Sequence, residues 1–193
     1  MIWFTSDQHF GHTNIIEYAN RPFRTVEEMD REMTERWNSL VKTDDVVYQL
    51  GDFTLSGYRG FEHYIEQLNG IIYFIPGGQD DRWISQYKKM EPSDKFYILP
   101  PIFLTKVKEV ELVLCHYPLL SWERSHHGTI HLHGHTHGSI GCMGRSEGMS
   151  ALPPGERRGN RIDVGVECNG FYPVNVFDVI NKIDAFEGIV RLG

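Results

Sequence analysis

The sequence predicts an α/β domain, and three observations carry that prediction. Short apolar runs alternate with stretches of helical periodicity along most of the chain. Five of those runs end in a carboxylate, an imidazole or a Gly-rich turn, and in α/β sheets functional groups gather beyond the carboxyl ends of strands. The length of 193 residues suits one domain with its own core, spanning 1–193.

The elements follow in order. Residues 2–5 form the first apolar run, which ends in Ser6-Asp7, and 21–23 form a Pro-containing loop. Thr25 opens a helix, with Glu28 three residues later completing a capping box. Val26, Met29, Met33, Trp37 and Leu40 then recur at helical spacing, so their stripe should face the core. Residues 46–50 form a second strand ending in Gly51-Asp52, and 61–68 a short helix. Residues 71–75 form a third strand, ending in Pro76-Gly77-Gly78-Gln79-Asp80-Asp81. Residues 110–115 lead to His116, and 129–133 lead to Gly134-His135-Thr136-His137. From 138 to 161 the chain is rich in Gly, Pro, Ser and Arg without periodicity, which reads as a long loop or lid. Residues 162–166, 174–177 and 189–192 are expected as closing strands.

Composition narrows the function. A hydrophobic fraction of 40% and a charged fraction of 23% argue against a disordered chain, a coiled coil and a fibrous repeat. No apolar run reaches the roughly 18 residues of a membrane span, and the N-terminus lacks the basic and apolar regions of a signal peptide. The net charge of −7 argues against a broad footprint for duplex nucleic acid. Cys115, Cys142 and Cys168 are odd in number and far apart, so reduced thiols and a cytoplasmic location are expected. Of ten histidines, His126, His127, His131, His133, His135 and His137 fall within twelve positions, a density that suits transition metals.

The strand-end residues fit one task. Asp7 and His9, Asp52, the 79–81 stretch, His116, and His135 with His137 make a mixed oxygen and nitrogen donor set for manganese, iron or zinc. The set exceeds what one tetrahedral ion needs, and two ions sharing a bridging carboxylate would use it. Metal pairs about 3.5–4 Å apart serve in-line displacement at phosphorus.

These residues stand in the order of the motifs D-x-H, G-D, G-N-H-D/E, H and G-H-x-H. The chain therefore resembles the calcineurin-like metallophosphoesterases, from residue 1 to about 180. The resemblance implies two packed β-sheets flanked by helices, an α/β/β/α sandwich. It implies that Asp7, His9 and His137 hold one metal, that His116 and His135 hold the other, and that Asp52 bridges them. Two divalent ions are implied, manganese first, with iron, zinc, nickel or magnesium as alternatives. The implied reaction is hydrolysis of a phosphomonoester or phosphodiester by a metal-bound hydroxide. Its substrate would be a phosphorylated small molecule or nucleotide, with no membrane partner.

One motif departs. Where the family has Gly-Asn-His-Asp, this chain reads Gly77-Gly78-Gln79-Asp80-Asp81. With Gly78 as the motif glycine, Gln79 replaces the metal-binding Asn and Asp80 the catalytic His. With Gly77 as that glycine, Gly78 replaces the Asn and Gln79 the His. The first register keeps an amide oxygen for the metal and is preferred. Neither offers an imidazole acid, and Asp80 is a poor one beside cations that keep a carboxylate ionised. The departure therefore supports an alternative, a metal-binding but catalytically impaired interaction module on the same fold. His12 and Asn14 either touch substrate phosphate or, for Asn14, cap the helix at Ile15. His131 and His133 read as packing or supporting residues, and His63, His126 and His127 as surface. Arg145, Arg157, Arg158 and Arg161 either clamp an anion from the lid or line a solvated loop.

Overall fold

The structure is a computed structural model, and it describes residues 1–89, 93–145 and 160–186. In the first sheet β1 (Ile2–Thr5), β2 (Val46–Gln49), β3 (Ile71–Phe74) and β4 (Phe96–Ile98) run parallel. The short antiparallel β10 (Val174–Asn175) closes its β1 edge. In the second sheet β6 (Val110–Cys115), β7 (Ile130–His133) and β9 (Asn160–Asp163) run parallel, between antiparallel edges β5 (Ile102–Val107) and β8 (Met143–Arg145). The helices are α1 (Ile15–Tyr18), α2 (Val26–Leu40), α3 (Gly57–Gln67), α4 (Asp81–Tyr87) and α5 (Val176–Phe186). This is the expected α/β two-sheet sandwich flanked by helices.

Alternation along the strands builds two cores. Trp3, Val47 and Ile72 join Met29, Met33 and Trp37 of α2, Phe61 and Ile65 of α3 and Trp83 of α4. Phe4, Leu50 and Ile75 instead join Leu112, Leu114, Ile130, Leu132 and Ile162, and so weld the first sheet to the second. Val179 and Ile183 of α5 share this second core. The apolar stripe of α2 lies where its periodicity puts it, and the Thr25 hydroxyl accepts the Glu28 N–H at 3.2 Å. Leu40, in the last turn of α2, is exposed.

Several expected boundaries change. The strand expected over 174–177 stops at Asn175, whose side-chain oxygen accepts the N–H groups of Phe177 and Asp178 and so starts α5. Chain expected as lid, 138–161, includes β8 and the start of β9, which are hydrogen-bonded to each other. Residues 146–159, with Arg157 and Arg158, and the strand expected at 189–192 lie outside the described residues. Arg161 is not a loop residue: it sits in β9, and its guanidinium lies against Gly144. Cys142 and Cys168 form a disulfide with 5.6 Å between their Cα atoms, which corrects the expectation of three separate thiols; Cys115 is free and buried. Among the described residues no helix is long and apolar enough to cross a membrane.

Candidate metal centre

The donors converge because parallel pairing brings the carboxyl ends of strands together. Thr5 of β1 pairs with Gln49 of β2, and Gln49 with Phe74 of β3, so the loops after all three leave one edge side by side. The loops after β6 and β7 meet in the same way, and the Gly134 N–H donates to the His116 carbonyl at 3.0 Å. A bridge between Ser6 and Gly165 joins the two sheets there. Gly134 permits the closest approach: a Cβ would lie 2.1 Å from the Ser6 hydroxyl and 2.3 Å from Asp7 Oδ2.

The backbone is strained where the donors sit. Asp7, His9, Asp52, His135 and His137 take φ of 62°, 53°, 54°, 69° and 48°, the left-handed region that side chains rarely adopt. Backbone hydrogen bonds hold this conformation, from Asp7 N to the Gly51 carbonyl at 3.1 Å and from His9 N to the Asp52 carbonyl at 3.0 Å. Strain of this kind persists where surrounding structure over-determines it, and it clusters at functional sites.

Two donor groups result. Asp7, His9 and His137 form one and Asp52, His116 and His135 the other, each with ligand atoms within 4.8 Å of one another. Asp52 stands between them: its Oδ2 is 3.6 Å from His9 Nε2 and its Oδ1 is 3.6 Å from His116 Nε2. Both Nε2 atoms are buried and, among the described residues, have no hydrogen-bond partner. A separation of 3.6 Å is too long for a hydrogen bond. It fits two ligands of one ion, since donors bonded at about 2.1 Å to a tetrahedral centre lie roughly 3.4 Å apart.

The electrostatics agree. Burial, helped by the charges of Arg21 and neighbouring imidazoles, pulls His9 down to about 2, so it offers a neutral ring. Burial also lowers His116, whose Nδ1 is 2.7 Å from the Leu50 carbonyl, which leaves Nε2 for the site. Burial, together with Asp163, Glu167 and Asp52, pushes Asp7 well above the ordinary carboxylate range. A cluster of like charges around buried carboxylates is one that a divalent cation relieves. The residues present therefore fit a pair of divalent ions.

Around these donors stands a supporting layer that the sequence did not reveal. Glu167 Oε1 lies 2.8 Å from His137 Nδ1 and takes 2.7 and 2.9 Å hydrogen bonds from Arg21. Arg21 is buried and also donates to the carbonyls of Asp7 and Gln8 at 2.6 and 2.7 Å. Burial pushes Glu167 up, but His137 and Arg21 outweigh it and hold the carboxyl low. An arginine in a loop and a glutamate 146 residues away carry no periodic signal that would pair them.

The turn after β3 corrects the sequence reading. Asp80 is fully buried, and four N–H groups saturate it. Oδ2 accepts from Asp52 N at 2.7 Å and Gly77 N at 2.8 Å, and Oδ1 from Phe53 N and Trp83 Nε1, each at 3.1 Å. It anchors the turn and is not free to protonate a leaving group. A Cβ on Gly77 would lie 2.5 Å from Asp52 Oδ1, so Gly77 is the residue pressed against the Asp52 carboxylate. Laid on the motif that the sequence resembles, Gly77 then takes the place of the glycine, Gly78 that of the Asn and Gln79 that of the His. Gln79 is exposed, and its backbone N–H donates to Asp52 Oδ1 at 3.2 Å.

The other histidines separate clearly. His12 is partly exposed, with Nδ1 3.4 Å from His9 Nδ1, at the edge of the first group. His131 and His133 are buried and tied to backbone: His131 Nε2 accepts the Leu119 N–H at 3.1 Å, and His133 Nδ1 is 2.9 Å from the Gly134 carbonyl. His63, His126 and His127 are exposed. Asn14 occupies the N-cap of α1 without a side-chain cap bond.

No family model matches the chain. A protein of unknown function from Aquifex aeolicus shares the fold: its structure superposes with a TM-score of 0.66 at 21% identity, covering 94% of this chain and 98% of its own. An archaeal phosphodiesterase aligns at 16% identity and a TM-score of 0.44 over 85% of this chain and 82% of its own, a likeness too weak to carry weight. The uncharacterised protein MJ1445 of Methanocaldococcus jannaschii is 32% identical over 192 residues, which cover 98% of this chain and 94% of that one. On that relationship the chain belongs to the family of MJ1445.

Proposed function

We propose that the chain is a two-metal phosphoesterase acting on a phosphomonoester or phosphodiester of a small molecule or nucleotide. One observation carries the reading: the Asp52 carboxylate turns one oxygen to the orphaned Nε2 of His9 and the other to that of His116. Asp7, His9 and His137 would hold one divalent ion and His116 and His135 the other, with Asp52 shared and manganese the first choice. Such ions, when bound, activate water and neutralise phosphoryl oxygens.

The chain's own groups set the rest. Arg21 and Glu167 fix the His137 ring, and His12 stands at the open side of His9, where a substrate oxygen can meet it. The turn after β3 gives the leaving oxygen no proton, because Asp80 is committed to four N–H groups. General-acid help is worth about 10²–10⁴-fold, and poor leaving groups need it most. Aryl phosphoesters should therefore be cleaved faster than alkyl ones.

The same turn supports the second reading, a metal-binding module that has lost catalysis. Manganese-reconstituted protein assayed with nitrophenyl phosphate and bis-nitrophenyl phosphate separates the two. Hydrolysis of either ester supports the phosphoesterase. Two bound Mn²⁺ ions with no hydrolysis support the impaired module. Failure to bind Mn²⁺ overturns both.

A further inference from the structure

Gly78 leaves a gap over the turn after β3, and a phenol fills it. A Cβ on Gly78 would lie 2.7 Å from the Tyr117 hydroxyl oxygen. The hydroxyl thus stands where a side chain at 78 would begin, on the rim of the Asp52–His116–His135 group. The ring is fixed from two sides, with its centroid 4.8 Å from that of His116 and 4.7 Å from that of His135. Both contacts are edge-to-face. Tyr117 is 44% exposed, so the side chain that carries the hydroxyl lies at the surface, where a ligand arrives from solvent.

Most neighbouring polar groups at the site are already committed. Asp52, His116 and His135 make up the donor group, Asp80 is saturated by four N–H groups, and the Gln79 N–H is taken by Asp52. Among the described residues the Tyr117 hydroxyl has no such commitment. A phenol is a neutral O–H donor at ordinary pH, and an O–H donated to an anionic oxygen is among the stronger hydrogen bonds.

We infer that the Tyr117 hydroxyl is a substrate-binding group, donating a hydrogen bond to a non-bridging phosphoryl oxygen held over the Asp52–His116–His135 group. The inference rests on the phosphoesterase reading and names a contact within it. The phenol keeps its proton throughout, so its contribution does not depend on the leaving group.

Two variants test it in manganese-loaded protein. Tyr117→Phe keeps the ring and both imidazole contacts and deletes only the hydroxyl. Gly78→Ala places a methyl group against the hydroxyl and displaces the phenol; Gly78 lies outside the left-handed region, so alanine is conformationally allowed. In each, Mn²⁺ affinity should stay within about twofold, while inorganic phosphate binds roughly tenfold more weakly by calorimetry. The kcat/KM should fall roughly 10–100-fold, equally for aryl and alkyl esters, as expected for a lost hydrogen bond to a charged group. The double variant should be no worse than Tyr117→Phe alone. Unchanged phosphate affinity overturns the inference. So does loss of Mn²⁺, which would make the phenol part of the metal site, and so does a loss confined to alkyl esters, which would make it a proton donor. Wild-type protein that hydrolyses neither ester, while Tyr117→Phe still loses phosphate binding, would sink the phosphoesterase reading and leave the contact standing.

Discussion

Asp80→Asn should destabilise the fold by about 2–4 kcal/mol, because the turn after β3 is organised around two carboxylate oxygens. Each oxygen accepts two N–H groups, and Asp80 and Trp83 are fully buried, so water cannot replace a lost acceptor. An amide keeps one oxygen, and the best orientation leaves it on the shorter pair, Asp52 N at 2.7 Å and Gly77 N at 2.8 Å. The amide nitrogen then faces Phe53 N and Trp83 Nε1, two donors confronting a third. A buried donor left unsatisfied costs about 1–3 kcal/mol, so two give roughly 2–6 kcal/mol. Burial of the ionised carboxylate offsets part of this, since burial pushes the Asp80 carboxyl up and a neutral amide escapes that penalty. Urea unfolding of metal-free protein reads the difference as a lower midpoint at unchanged slope. A loss below about 1 kcal/mol would refute the anchoring role. Full stability with activity abolished would restore Asp80 as a catalytic group.

Three further outcomes follow from the site. Asp52→Asn should take bound Mn²⁺ from two ions toward none by elemental analysis, because Asp52 faces both donor groups, while the exposed His63→Ala keeps two; full occupancy in Asp52→Asn would end the bridging assignment. Glu167→Gln should weaken the Asp7–His9–His137 site about 10–100-fold in Mn²⁺ titrations and spare the other, since Glu167 orients His137 through Nδ1; equal weakening at both sites would show a general disturbance instead. Burial lowers His131 to about 4, so its stabilising contribution is full above the ordinary value of 6.5 and is lost as pH falls toward 4, where the unfolded chain takes a proton that the fold refuses. An imidazole NMR titration should place its midpoint near 4, and a midpoint near 6.5 would contradict a neutral buried ring.

What the sequence disclosed was whatever a single segment carries. A strand such as 110–115 is an apolar run that ends in a donor, and both facts lie in seven consecutive residues. The edge strand β5 was missed because its apolar run, Ile102-Phe103-Leu104, is only three residues long before Thr105 and Lys106 interrupt it, and its exposed positions mix Ile102 and Leu104 with Lys106. Helix α4 was missed because it begins inside a turn rich in Gly and Asp. At the site, residue types and order pointed to Asp7, His9, Asp52, His116, His135 and His137, and those six fall into the two donor groups. Asp80 was misread because its role depends on N–H groups from Asp52 and Phe53, 28 and 27 residues away. Arg21, Glu167 and the Cys142–Cys168 disulfide escaped for the same reason: each is defined by a contact between segments.

The departure from Gly-Asn-His-Asp becomes intelligible once the turn is divided by what each position touches. The donor groups come from the loops after β1, β2, β6 and β7, and their backbones are locked to one another by bonds such as Asp7 N to Gly51 O. The turn after β3 grips that assembly at Gly77 and Asp80, and between them the Gln79 backbone N–H donates to Asp52 Oδ1 at 3.2 Å. Gly77 packs against Asp52 Oδ1, and Asp80 holds the N–H groups of Asp52 and Phe53. Positions 78 and 79 lie between the grips and are exposed. A change at 77 or 80 should move the Asp52 carboxylate that stands between the donor groups, whereas a change at 78 or 79 falls on the exposed surface beside them. The residues that differ from the motif are 78 and 79, and the two that match it are the grips. On the phosphoesterase proposal, metal affinity should therefore respond to substitutions at 77 and 80, and phosphate affinity to substitutions at 78 and 79.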